Sequence, residues 1–285
     1  MLYLISAIII SSGILVLFKY FKKIGIDNMQ AITTNYIIGT LFGLTIYPKY
    51  FSISSILEAD WLPYAIVLGF LFIITFLLFA YSSQKVGVAI TAVSSKMSVI
   101  IPVGVGVVLL GDSFSLLKII GIIAALFAFY FTMKKGGKLK ISSAYFYLPF
   151  LLFLGNGSID GILKYTEHYF VNDETILFLS IIFLISFILG ILVLLIKFIK
   201  IKQKIKVKNI IGGSILGIMN FSTTYFLIMA MGVFQSSVLF PINNVGIVTL
   251  SALAGLFIFR EKLSITNWIG ISLSICAILL ISFSI

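Results

Sequence analysis

Ten apolar runs follow one another along this chain with only short polar interruptions, and they constrain its fold more than any other feature. Read between charges and turn residues, they cover about 2–18, 28–47, 62–84, 88–110, 114–133, 145–166, 175–199, 209–231, 234–258 and 264–284. A helix crossing a bilayer needs roughly 20 predominantly apolar residues, so each run predicts one transmembrane helix. At about 28 residues for a span and its connection, ten spans use nearly all of the 285 residues. That leaves no room for a nucleotide-binding or receptor domain. Composition agrees: 61% hydrophobic and 10% charged residues, with a mean hydropathy of +1.21, exclude a water-soluble globular enzyme and a disordered chain. The expected fold class is all-α, a polytopic membrane protein with ten transmembrane helices. No basic residue precedes the first run, and Lys19, Lys22 and Lys23 follow it directly. It reads as a membrane anchor rather than a cleaved leader.

The net charge of +11 then sorts by side. Sixteen of the twenty basic residues fall in odd-numbered connections, from Lys19 through the Lys197 to Lys208 run to Arg260 and Lys262. Lys49, Lys118 and Lys164 lie on the opposite side with Glu58, Asp60, Asp112, Glu167, Asp173 and Glu174, and Lys96 lies inside a span. The positive-inside rule places the odd connections in the cytoplasm and both termini outside. The basic charge is thus an orientation signal. Anionic lipid headgroups are its expected partner, and nucleic acid is not.

The chain also repeats itself. Gly111-Asp-Ser-Phe-Ser-Leu-Leu-Lys-Ile-Ile-Gly121 aligns with Arg260-Glu-Lys-Leu-Ser-Ile-Thr-Asn-Trp-Ile-Gly270, and Gly106 aligns with Gly255. Leu17-Phe-Lys-Tyr20 aligns with Ile162-Leu-Lys-Tyr165, and Gly87-Val88 with Gly232-Val233. The matches fall in the same order along the chain and divide it into residues 1–141 and 142–285. Five spans per copy is an odd number, so the second copy enters the membrane from the other side. This predicts a 5+5 inverted repeat, an architecture of many secondary transporters.

With these features the sequence resembles the drug/metabolite transporter superfamily, in its EamA-like branch. The resemblance rests on five plus five spans and on two late helices that end in a short polar turn with an acid. Those turns are Leu109-Leu-Gly-Asp-Ser-Phe114 and Ile258-Phe-Arg-Glu-Lys-Leu263, each followed nine residues after the acid by Gly121 or Gly270. It implies alternating-access movement of small organic solutes, such as amino acids, sugars, metabolites or drugs. It implies a cavity near spans one, three, four, six, eight and nine. It also implies cytoplasmic termini, against the charge count of this chain.

Polar residues inside spans are the candidate site, because an ionisable group at mid-membrane costs roughly 2.5–3.5 kcal/mol on insertion scales. Asn156, Asp160 and Lys164 recur every four residues in span six, with Glu167 on the same face. They predict either a cavity stripe, with Asp160 as proton site or counter-ion, or a self-neutralising Asp160–Lys164 pair. Lys96 lies about 12 Å into span four at the helical rise. At 100° per residue it points away from Thr91, Ser94, Ser95, Ser98 and Pro102, a stripe that reads as a packing surface. In span nine Pro241 precedes Asn243 and Asn244. The proline predicts a freed carbonyl at a discontinuous helix, and the asparagines either bind solute or satisfy that defect. Gly213, Gly217, Asn220 and Thr224 share a face of span eight that reads mainly as helix contact, with Asn220 a binding candidate. Asn35 and Gln84 are weaker candidates. Tyr47, Tyr50, Trp61 and Tyr64 read as interfacial anchors.

The expected solute-binding set is therefore Lys96, Asn156, Asp160, Asn220, Asn243 and Asn244, with Asp160 also the proton-coupling residue. Gly136-Gly-Lys138 lacks the loop and hydroxyl of an ATP site. His168 has no second ligand at metal spacing, and the single Cys276 allows no disulfide. The chain predicts no cofactor, no metal, no catalytic set and no enzyme. It predicts a monomer or homodimer in the cell membrane whose partners are a small solute, lipid and a coupling proton or ion. The competing reading is a structural subunit or lipid-handling protein.

Overall fold

The computed structural model describes residues 1–85, 95–113, 115–133, 145, 147–201, 204–259 and 264–282. Among the described residues the protein is helical and contains no strand. The long helices are α1 (Leu2–Ile24), α2 (Asn28–Ile46), α4 (Leu62–Lys85), α5 (Ile100–Leu109), α6 (Leu116–Met133), α7 (Tyr147–Thr166), α8 (Thr175–Ile201), α9 (Val207–Met231), α10 (Ser236–Phe259) and α11 (Ile265–Ser282). A five-residue α3 (Ile53–Leu57) interrupts the second connection, fixed by a reciprocal Ser52–Ser55 capping box. Leu62–Phe79, Tyr147–Ile199, Val207–Met231 and Ser236–Ile258 are long and apolar enough to cross a membrane. Leu2–Phe18, Ser95–Leu109, Leu116–Ala128 and Trp268–Leu280 are shorter apolar helices.

Local chemistry sets the helix ends. α1 runs past its apolar stretch to Lys23, whose charge suits a helix C-terminus, and stops at Gly25 with φ 66°. Two residues later the Asp27 side chain accepts from Gln30 N at 2.9 Å and starts α2. The sixth connection is tighter than the sequence suggests: a π-turn over Glu167–Val171 leads into a 3₁₀ turn over Asn172–Glu174.

α2 packs between α8 and α9. α1 packs on α9 and α10, α4 on α7 and α8, α5 on α7 and α10, and α6 on α11. Small residues set the closest approach: α9 brings Gly213 and Gly217 against the α2 backbone at Ala31 and Asn35. The outward faces stay apolar, with Ile188, Leu192, Leu195, Ile196 and Phe198 of α8 exposed. That suits lipid and would be a large patch in water.

Contacts between connections join like with like. At one end Gln30 bonds Lys204 O and Lys206 N, and Lys208 donates to Ile24 O at 2.7 Å, tying the first connection to the seventh. At the other end Lys49 pairs with Asp173 at 3.9 Å and Tyr169 donates to Leu109 O at 3.3 Å. Trp61 there is 2% exposed and donates to Glu174 at 2.6 Å. It is a core residue rather than the interfacial anchor expected. Tyr64 stacks on Phe170, and Tyr50 is fully exposed.

Candidate functional site

A cavity of about 150 Å³ lies between α1, the segment before α5, α7, α9 and α10. Its wall brings together Lys96, Asn156, Asp160, Asn243 and Asn244, five of the six residues expected to bind solute. Ser11, Ser95, Thr223 and Thr224 add hydroxyls, and Ala7, Leu227 and Ile247 close it with apolar surface.

The break near Lys96 explains how that lysine is aimed. Residues 95–97 are helical, 98–99 form a turn, and α5 starts at Ile100. Pro102 has no N–H to give the Ser98 carbonyl, which accepts from Ile101 N at 2.9 Å instead, and Val99 N bonds Lys96 O at 3.4 Å. The shift from four-residue to three-residue bonding changes the helix phase. Ser95 lines the cavity beside Lys96, although the sequence assigns it to a packing stripe. Thr91 and Ser94 of that stripe lie outside the described residues, as do the Gln84 side chain, the Gly87-Val88 match and the Arg260-Glu261-Lys262 turn. The discontinuity expected at Pro241 is absent, since α10 runs through it unbroken.

Lys96 is half-buried and donates from Nζ to Asn244 Oδ1 at 3.1 Å. Asp160 faces the same cavity from α7, one turn after Asn156, whose Nδ2 bonds Leu152 O at 2.9 Å. The local Asp160–Lys164 pair does not form. Lys164, 5% exposed, instead donates to the Met231 carbonyl and pairs with Glu167 at 3.4 Å. Burial pushes the Glu167 carboxyl up, and Lys164 pulls it back down. Lys96 is thus the basic side chain that lines the cavity with Asp160.

The two asparagines of α10 are 6% and 7% exposed. Asn243 Oδ1 and Asn244 Nδ2 are buried without a hydrogen-bond partner among the described residues. Each such atom costs about 1–3 kcal/mol, so two residues that line the cavity each carry one unpaired buried amide atom. Asn220 lies off the lining: its Nδ2 donates to Asn35 Oδ1 at 3.1 Å, and Asn35 is wholly buried. It joins α9 to α2. Of the cavity hydroxyls, the sequence assigns Ser95 and Thr224 to packing faces and gives no role to Ser11 and Thr223. Thr223 donates to Ala7 O at 3.0 Å and lies 2.5 Å from Ser11 Oγ, so Ser11 is the donor of that pair. The available signal was two polar doublets, Ser11-Ser12 and Thr223-Thr224, inside apolar runs.

Over residues 1–134 the chain matches the EamA-like transporter family. That stretch is similar to membrane transporters of the drug/metabolite type. Members of that family are transporters, not enzymes. An uncharacterized protein of Haemophilus influenzae is 26% identical over 283 residues, covering 96% of this chain and 95% of its own. A protein solved by crystallography superposes with a TM-score of 0.81 at 13% identity, over 99% of this chain and 96% of the other. At that identity the likeness concerns the fold alone. The family match includes the first of the two acid-bearing turns that carry the resemblance.

Proposed function

We propose that this protein is a secondary transporter for a small polar solute with both an anionic and a cationic group, an amino acid or related metabolite. The observation that carries this reading is that Lys96 and Asp160 line one cavity together with Asn243 and Asn244. Lys96 takes the anionic group, Asp160 the cationic one, and the two amides orient the solute between them. The volume suits roughly six to ten non-hydrogen atoms, since a cavity of this size holds benzene.

Movement is by alternating access between two inverted repeats, residues 1–141 and 142–285. The helix pairing supports this. Exchanging α1 with α7, α2 with α8, α4 with α9 and α5 with α10 turns the α2–α9 contact into α8–α4. The same exchange turns α1–α9 into α7–α4 and α1–α10 into α7–α5, each of which is present. A screen of zwitterionic solutes for thermal stabilisation of the purified protein identifies the ligand. Stabilisation by neutral sugars and not by zwitterions would overturn the charge assignment.

Asp160 is also the proposed proton site, being the acid on the cavity wall. In proteoliposomes Asp160→Asn is expected to flatten the pH dependence of transport while the protein stays folded. An unchanged pH profile rejects the role.

The lysine-rich connections face the cytoplasm of the cell in this reading. Lys118 and Lys164, two of the three exceptions, are 1% and 5% exposed and hold helix ends. Their presence on the lysine-poor side therefore has a structural reason. In a Cys276→Ser background, Lys49→Cys is expected to react with a membrane-impermeant thiol reagent on intact cells and Lys204→Cys only after lysis. The reverse pattern would invert the orientation.

A further inference from the structure

The turn that carries the first repeated acid grips the second half of the chain. Asp112 Oδ2 accepts from the backbone N–H groups of Ser236 at 2.6 Å and Ser237 at 3.4 Å. It thereby satisfies two open amides at the start of α10, at the positive end of its dipole. Beside it Lys118, 1% exposed, donates to Ser113 O at 3.1 Å, Ser113 Oγ at 2.8 Å and Gln235 Oε1 at 2.5 Å. Gly106 allows the approach, because a Cβ there would lie 2.5 Å from Ser236 Cβ. From the other flank Lys164 holds the Met231 carbonyl at the end of α9. The short α9–α10 connection is thus held by a lysine from α6 and a lysine from α7.

Both attachments lie on helices that build the cavity. Lys164 is one turn beyond Asp160 on α7, and Ser236 is about two turns before Asn243 and Asn244 on α10. A rigid shift of α10 on solute binding therefore moves the clasp directly. The Ser236 and Ser237 hydroxyls are buried in the same seam without partners among the described residues. Opening the seam hydrates them and offsets part of the hydrogen bonding lost with Asp112 and Lys118.

The geometry points to this clasp, Asp112 on Ser236 and Lys118 on Gln235, as the gate that closes the cavity on the lysine-poor side. The inference rests on the transport reading, and its test keeps the two apart. The protein carries Cys276→Ser and a reporter, Ser95→Cys, on the cavity wall. Labelling by a membrane-impermeant thiol reagent is timed from each face in oriented vesicles. Lys118→Met, and separately Gly106→Val, should speed labelling from the lysine-poor face about tenfold, the factor for one charge-assisted hydrogen bond. Conversely, joining Ser113→Cys to Gln235→Cys with a short bifunctional thiol reagent should stop labelling from that face and preserve it from the lysine-rich face. The bridged pair does not depend on how well the loosened variants fold. Labelling from the lysine-poor face that ignores both the loosening and the bridge would overturn the gate. A reporter silent from both faces in every variant would overturn the transport cavity itself.

Discussion

Lys96→Met should weaken solute binding about a hundredfold or more, because removing one member of a charged, desolvated pairing costs roughly 3 kcal/mol. The loss has two origins. The anionic group of the solute loses its cationic partner, and Asn244 Oδ1 loses the donor now 3.1 Å away. The variant also leaves Asp160 facing the cavity without a cation, so its melting temperature should fall. Neutralising both residues separates the two effects. In Lys96→Met/Asp160→Asn the uncompensated charge is gone, and a pair replaced by neutral groups regains stability. A structural ion pair predicts recovery of everything measured. A binding site predicts that thermal stability returns and affinity does not. Calorimetric titration beside a melting curve, on the ligand found by stabilisation screening, decides between them. Full recovery of binding in the double variant would return the cavity to a structural role.

The residues of that cavity were legible in the sequence because the membrane makes them conspicuous. Asp160, Lys96, Asn156 and the Asn243-Asn244 doublet interrupt runs that have few other polar groups, and no lipid-facing role accounts for them. Their meeting in one place was not legible, since five separate segments supply the wall. Nor was the partner of Lys164. Helical spacing offers Asp160 and Glu167 equally, and only the fold adds the Met231 carbonyl that draws the lysine away from the cavity. The phase change at Ser98-Val99 was missed for a related reason. By spacing alone Pro102 is one member of a regular stripe, whereas its missing N–H leaves the Ser98 carbonyl to Ile101 N. Pro241 stands six residues into α10, and the helix absorbs it. Asn220 carried the same signal as Asn156, a lone amide in an apolar run. Which of them lines the cavity and which pairs across helices depends on whether the facing helix offers an amide, as α2 does at Asn35, or a void.

The α2–α9 seam should tolerate even less change than the cavity, and Gly217→Ala is the sharpest test of it. A Cβ at Gly217 would stand 2.6 Å from Asn35 O and 3.2 Å from Asn35 Cα, and one at Gly213 would stand 2.6 Å from Ala31 O. These neighbours are backbone, so no side-chain rotation relieves the overlap. α9 must move off α2, and the Asn220–Asn35 bond between the same helices lengthens with it. Overpacking of a core costs about 1–3 kcal/mol. Here it also separates amides in a medium where water cannot replace the lost partner. Gly213→Ala/Gly217→Ala is therefore expected to abolish recovery of monodisperse protein from detergent, and either single change to lower its melting temperature by several degrees. Gly104→Ala supplies the control, since a Cβ there meets nothing within 4 Å, and it should behave as wild type. If the double variant purified and melted like Gly104→Ala, then close glycine contact would not be what holds α2 between α8 and α9.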